Sequence, residues 1–329
     1  MKSRRSWFEV LASIAAVVAI APAVPADAVA QAYPVKPIHL VVSYPPGGVH
    51  DILARLVQPG MAKAFEQPVV VENRGGAAGK IAAELVAKSP ADGYTILVIG
   101  DTLATIPHLY KSVGYDLFRD LAPVGKLGYF PYVLAVNAAV PANTVKEFIA
   151  LARAKPDGVV YGSPGNGAPN QLAAELFQRQ AGIKMMHVPY KGTAQAMTDL
   201  AAGQIQAMVV SLTLASTQTA SGKVKILGIT SPKRSALAPQ IPTLAESGLP
   251  EYEAGSYVAF FVPAGTPAAI IQRIYAEAKN ALLVSDVQAK LLQLGGEAAP
   301  APPEELASLV REQYERWGKI IRENHIQAD

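Results

Sequence analysis

The sequence predicts an α/β protein built on parallel sheets, and three observations carry that reading. Short β-rich runs alternate with amphipathic helical stretches along the chain, the pattern of parallel strands joined by right-handed helical crossovers. Several of the β-rich runs are almost continuously apolar, as expected of strands covered on both faces. The chain has 329 residues, 50% hydrophobic and 17% charged, which is enough for two lobes, and no low-complexity linker divides it.

Residues 1–32 read as an export leader rather than as part of the fold. Lys2, Arg4 and Arg5 precede an uncharged Ala/Val/Ile-rich stretch from Val10 to Val24, and Ala30-Gln31-Ala32 supplies a small-x-small cleavage site. That stretch is short for a membrane span and is broken by Pro22 and Pro25. Arg4-Arg5 with Trp7-Phe8 also resembles a twin-arginine export signal, although Glu9 stands where a basic residue is usual.

Beyond the leader, strands are expected at 38–44, 69–73, 95–99, 133–137, 159–163, 185–189, 207–211, 226–230 and 258–262. Helices are expected at 51–65, 77–89, 145–155, 171–181, 194–202, 268–284 and 303–323. Pro59-Gly60 interrupts the first helix, and an interior proline costs about 3 kcal/mol. A kink or an early end near Val57 follows. Thr144, with Glu147 three residues on, forms a capping box. The proline-rich pieces 264–267 and 299–303 read as turns that open helices.

Composition excludes several function classes. The formal net charge is only +3 and no Lys/Arg run occurs, which argues against nucleic acid. Cysteine is absent, so disulfides, thiolate metal sites and cysteine nucleophiles are impossible. No Gly-x-Ser-x-Gly, Ser-x-x-Lys or His-Glu-x-x-His is present, and no dinucleotide glycine signature follows a strand. Gly79-Lys80 only mimics a phosphate loop, because Ile81 stands where Ser or Thr is required. Neither a cofactor nor a metal is expected.

Three strand-to-helix turns are rich in glycine and small polar residues. They are Ser43-Tyr44-Pro45-Pro46-Gly47-Gly48-Val49-His50-Asp51, Gly100-Asp101-Thr102-Leu103-Ala104-Thr105, and Tyr161-Gly162-Ser163-Pro164-Gly165-Asn166-Gly167-Ala168-Pro169-Asn170. Ligands of open parallel sheets bind beyond the carboxyl ends of the strands. Glycine lets a guest approach the backbone, and a helix starting there aims free N–H groups and its positive dipole end at it. The implied guest is an anion. His50-Asp51 is the one pair suggesting acid–base work, although such residues at a helix start ordinarily serve as cap and loop side chain. Lys191 is either a solvated loop charge or an anion-steering group at a cleft rim.

A series of short segments resembles one family. They are Tyr33-Pro34-x-Lys36-Pro37-Ile38, Pro46-Gly47-Gly48-x-x-Asp51-x-x-Ala54-Arg55, Val71-Glu72-Asn73-Arg74-x-Gly76-Ala77, Ser89-Pro90-Ala91-Asp92-Gly93-Tyr94-Thr95, Val188-Pro189-Tyr190-Lys191-Gly192, Ile241-Pro242-Thr243-Leu244-Ala245-Glu246-x-Gly248 and Pro263-Ala264-Gly265-Thr266-Pro267. Each is weak alone, but seven in order resemble the Bug-type receptors of tripartite tricarboxylate transporters from Tyr33 to the C-terminus.

The resemblance implies a type II periplasmic-binding fold: two lobes, each a mainly parallel sheet flanked by helices, with the ligand in the cleft. Lobe one would comprise 33–133 and 257–329, and lobe two 134–256. It implies a monomeric periplasmic receptor that captures a dicarboxylate, aromatic acid or acidic amino acid for membrane permease subunits. The guest carboxylate would be gripped around Tyr44, Pro46, Gly47, Gly48, Val49, His50 and Asp51, beside Asp101 and Thr102. Specificity would come from Ser163, Gly165, Asn166, Gly167, Ala168, Gln171, Tyr190 and Ser211. The chain departs from the family pattern at His50, Ala168, Gln171, Gln206 and Gly255-Ser256-Tyr257. Two rival readings are a secreted enzyme using His50 and Asp51, and a sensor that docks on a signalling partner.

Overall fold

The computed structural model describes residues 33–327, and the leader reading of 1–32 lies outside them. The first sheet starts with β1 (Ile38–Val42), flanked in parallel by β2 (Val69–Asn73) and β3 (Thr95–Ile99). Between them run α1 (Val49–Phe65), a 3-10 turn at Ala77–Gly79, and α2 (Lys80–Ala87). After α3 (Thr102–Leu109) and the short α4 (Leu117–Asp120), the chain enters β4 (Leu121–Asn137).

Strand β4 belongs to two sheets. Its first part, up to Pro131, pairs antiparallel with β9 (Gly255–Pro263) and β10 (Glu297–Ala301). From Tyr132 it pairs antiparallel with β7 (Ala207–Ser211), and from Val133 with β8 (Val224–Ile229). The second sheet is completed by β5 (Val160–Ser163) and β6 (Met186–Pro189), parallel to each other, with β5 parallel to β7. Its helices are α5 (Val145–Ala154), α6 (Pro169–Ala181), α7 (Thr193–Ala202) and α8 (Leu212–Thr219). The chain returns through β9 to α9 (Ala268–Leu282), α10 (Ser285–Gln293), β10 and α11 (Pro303–Glu323). The expected parallel character thus holds for β2, β1 and β3 in the first sheet and for β6, β5 and β7 in the second. Pairing is antiparallel wherever β4 or β9 takes part, because those strands carry the chain out to the second sheet and back.

Separate cores cover the two sheets. Val41, Leu97, Ile99, Phe261, Leu306 and Val310 form one on the first sheet, while Leu134, Phe148, Leu172, Phe177 and Val209 lie in another on the second. Full burial of such a side chain contributes about 1.5–3 kcal/mol. Helix α11 is shared: Leu306 and Val310 near its start join the first core, whereas Trp317, Ile320 and Ile321 join the second.

Three local expectations change. Helix α1 does not end near Val57 but continues through Pro59 to Phe65. Pro59 sits on the exposed face, and a Cβ at Gly60 would come within 2.6 Å of the Ala281 Cβ, so glycine permits α9 to pack closely there. The segment 121–132, with Pro123, Gly125, Gly128 and Pro131, lies outside the strand expected at 133–137 yet is part of it. Two register shifts absorb it, and both glycines sit where a side chain would collide with Tyr275 or Leu53. Strand β10 holds Pro300 and pairs only with β4, a position that tolerates proline. The Thr144 cap is present, with Glu147 N–H donating to Thr144 Oγ1 (3.2 Å), while the Glu147 carboxylate accepts from Asn143 N–H, one residue before the cap (2.7 Å).

Candidate functional site

The first glycine turn links β1 to α1. Gly47 adopts φ +85°, which a residue with a Cβ disfavours. Its N–H donates to Asp51 Oδ2 at 2.9 Å, folding the turn back on the helix. Asp51 Oδ1 accepts from Arg55 Nε and from Asn73 Nδ2, each at 2.9 Å. Asn73 Nδ2 also donates to the Tyr44 carbonyl at 2.9 Å. Burial alone would raise the Asp51 pKa, but the bonds from Arg55, Gly47 and Asn73 outweigh it and hold the carboxyl below its usual range. Asp51 is therefore an ionised brace for the turn.

What the turn presents outward is backbone. Pro46 and Gly47 are exposed, with Gly48 and Val49 half-buried. A Cβ at Gly48 would meet nothing closer than the Pro45 carbonyl oxygen at 3.5 Å. The helical ladder begins when Ile52 N–H donates to the Gly48 carbonyl (2.9 Å), and Gly48 supplies no side-chain cap. The N–H groups of Val49, His50 and Asp51 precede that ladder and mark the positive end of a 17-residue helix.

His50 turns inward. It is 5% exposed and stacks on Tyr44, with ring centroids 4.8 Å apart and planes 15° apart. Burial pushes its pKa down to about 4, so the imidazole is neutral. Its Nε2 makes no hydrogen bond among the described residues and faces Gly100, where a Cβ would lie 2.8 Å away. The second turn adjoins it: Asp101 and Thr102 are buried, and Tyr44 Oη donates to Thr102 Oγ1 at 3.2 Å.

The third turn is internally braced. Gly167 N–H donates to Gln171 Oε1 (2.7 Å), which assigns Nε2 as the end of that amide facing His187 Nδ1 at 3.3 Å. Nδ1 must then be the acceptor, so the network assigns the His187 proton to Nε2, from which it is donated to Ser163 Oγ at 2.7 Å. Ser163 in turn donates to the Gly165 carbonyl (3.0 Å). This Ser–His pair therefore has the wrong tautomer for a nucleophile and its base. Burial also lowers the His187 pKa to about 4.

The remaining predicted residues fall around this turn. Asn166 is exposed, Ala168 half-buried, and Tyr190 Oη donates to Asp199 Oδ2 (2.8 Å). Ser211 ends β7 opposite Tyr132, and Lys191 is exposed. Gln206 braces the sheet by accepting from Val160 N–H (2.9 Å). A cavity of about 600 Å³ opens beside the turn, lined by Asn166, Gln171, Glu175, Lys184 and His187. Apart from Ser211, the predicted residues thus form two clusters: Tyr44–Asp51 with Asp101 and Thr102, and Ser163–Gln171 with Tyr190.

Sequence reasoning did not single out His187, whose ring stacks on Tyr161 with centroids 4.8 Å apart, or Tyr132. His187 stands one residue before the Val188-Pro189-Tyr190 segment, and Tyr132 one residue before the expected strand 133–137. Among the described residues, no group of three His, Asp or Glu is arranged to hold a metal, and no helix is long and apolar enough to cross a membrane.

Two sheets sharing a crossing strand, with glycine-rich helix starts at strand ends, form the two-lobed type II fold of periplasmic binding proteins. Residues 53–326 match the model of the tripartite tricarboxylate transporter family receptor, and the chain belongs to that family, whose members are receptors rather than enzymes. It is 37% identical over 300 residues to the UPF0065 protein in the tcbD-tcbE intergenic region of Pseudomonas sp. (strain P51), covering 91% of this chain and 89% of that one. Among solved structures it is similar to R. palustris Rpa4515 with adipate (TM-score 0.74, 32% identity, 90% and 99% of the two chains). MatC from Rhodopseudomonas palustris with bound malate aligns at TM-score 0.70, 31% identity and 88% and 100% coverage.

Proposed function

We propose that this receptor captures a small carboxylate in the periplasm and delivers it, as a monomer, to the membrane permease subunits of a tripartite transporter. The observation that carries the reading is the start of α1: three backbone N–H groups, at Val49, His50 and Asp51, without ladder partners behind an open Gly47-Gly48 turn. A carboxylate seated there gains charge-assisted hydrogen bonds and a favourable helix dipole. The relatives with adipate and malate support this ligand class. In this reading residues 1–32 are the export leader, 33–133 with 257–329 form lobe one, and 134–256 form lobe two. The turn at Ser163–Gln171, with Tyr190 and Ser211, supplies specificity when the lobes close.

A thermal-shift screen of adipate, malate, succinate, benzoate and glutamate tests it. An acid at a hundredfold excess over its Kd raises apparent stability by about 2.7 kcal/mol. A screen in which no acid raises the melting temperature overturns the proposal.

A further inference from the structure

Asp101 is a buried acid without a counter-charge. It is 7% exposed, and no cation is paired with it among the described residues. Its position at the start of α3 gives it no capping bond. Its one side-chain donor is Ser256 Oγ, 3.1 Å from Oδ1. The titratable groups facing it are Tyr129 and Tyr132 from β4, Tyr257 from β9 and Tyr44 from the first turn, with His50 across Gly100. Burial holds all four phenols in their neutral form and the imidazole too. Asp51, the other buried acid of this region, has Arg55.

An ionised carboxylate in such a pocket is costly unless paired. A second anion seated on the neighbouring α1 start would make the cost higher, since two carboxylates sharing one site do not both ionise readily. The position matters as well: Ser256 and Tyr132 lie on β9 and β4, the strands that pass between the sheets.

We propose that Asp101 meets the bound acid as a protonated carboxyl, donating its proton toward a guest oxygen, so that capture of a carboxylate is coupled to a proton. The proton is retained by Asp101 and no bond is made or broken in the guest. This rests on the reading of the Pro46–Asp51 turn as the grip. Burial, opposed only by the Ser256 bond and the backbone, moves this carboxyl up to about 7, which places the coupling near neutral pH.

The test is calorimetric titration of the wild-type chain with adipate, malate, succinate, benzoate and glutamate at pH 6 to 8.5, in buffers of different ionisation enthalpy. The best-binding acid should take up close to one proton per molecule near pH 8. Its affinity should fall towards tenfold per pH unit above the Asp101 transition. These acids stay ionised across that range, so the dependence belongs to the protein. Asp101→Asn keeps a donor but no titratable proton, and should show neither uptake nor slope. Binding without proton uptake in the wild type overturns the coupling and leaves the receptor reading intact. Absence of binding by every acid in the panel overturns the carboxylate reading and the coupling with it.

Discussion

The carboxylate of Asp51 accepts a hydrogen bond from the backbone N–H of Gly47, 2.9 Å away, and so closes the glycine turn on the helix it precedes. Removing that carboxylate frees three donors at once, on Gly47, Arg55 and Asn73. Asp51→Ala should lower stability in urea by about 1–3 kcal/mol. Acid affinity should fall at least tenfold, as the turn loses its shape. Unchanged unfolding would show that the turn holds itself.

Gly48 is the complementary position. Its φ of −76° suits any residue, and a Cβ there would make only ordinary contacts, 3.5 Å from the Pro45 carbonyl oxygen and 3.8 Å from the Tyr44 Cβ. Gly48→Val should fold with wild-type stability yet bind acids at least tenfold more weakly, because the side chain occupies the approach to the backbone donors. Gly47→Ala, at φ +85°, should instead cost about 1–2 kcal/mol of stability. Titration and unfolding of both variants separate the two effects.

His50 should make the fold acid-sensitive. Folded, it titrates near 4; unfolded, near its ordinary 6.5. Between these values the unfolded chain binds the extra proton, so stability falls as pH drops from 6.5 towards 4, by up to about 1.4 kcal/mol per unit. Above 6.5 this contribution is constant. Urea midpoints of wild type and His50→Gln across pH 4 to 7 should converge as the pH falls.

Gln171 fixes both Gly167 and the His187 tautomer. Gln171→Glu keeps the acceptor for Gly167 but places a carboxylate beside Nδ1. The His187 transition, near 4 in the wild type, should then move upward, as an NMR titration of its ring protons would record. No movement would mean that the amide does not face this ring.

Strands β2, β3 and β7 were legible to the residue, because apolar runs between turn residues leave one choice. Strand β4 was half hidden: its prolines and glycines follow turn chemistry, and only tertiary partners such as Tyr275 and Leu53 reveal why glycine is needed. The glycine turns of the site were readable, since positive φ and helix starts have local signatures. The inward stacking of His50 on Tyr44 was not, being a rotamer choice set by burial. Nor was His187, whose partners Ser163 and Gln171 lie 24 and 16 residues away in the chain.

Helix α11 reaches both cores, and its far end carries Trp317, 5% exposed, with Arg316 stacked 4.9 Å from the ring centroid. The chain's other tryptophan, Trp7, lies within residues 1–32, the proposed leader. A mature receptor cut after Ala32 would thus own a single indole, on the helix that joins the cores of both sheets. Under the proposed lobe closure its emission would serve as an optical gauge, readable in an unlabelled sample as acid is added.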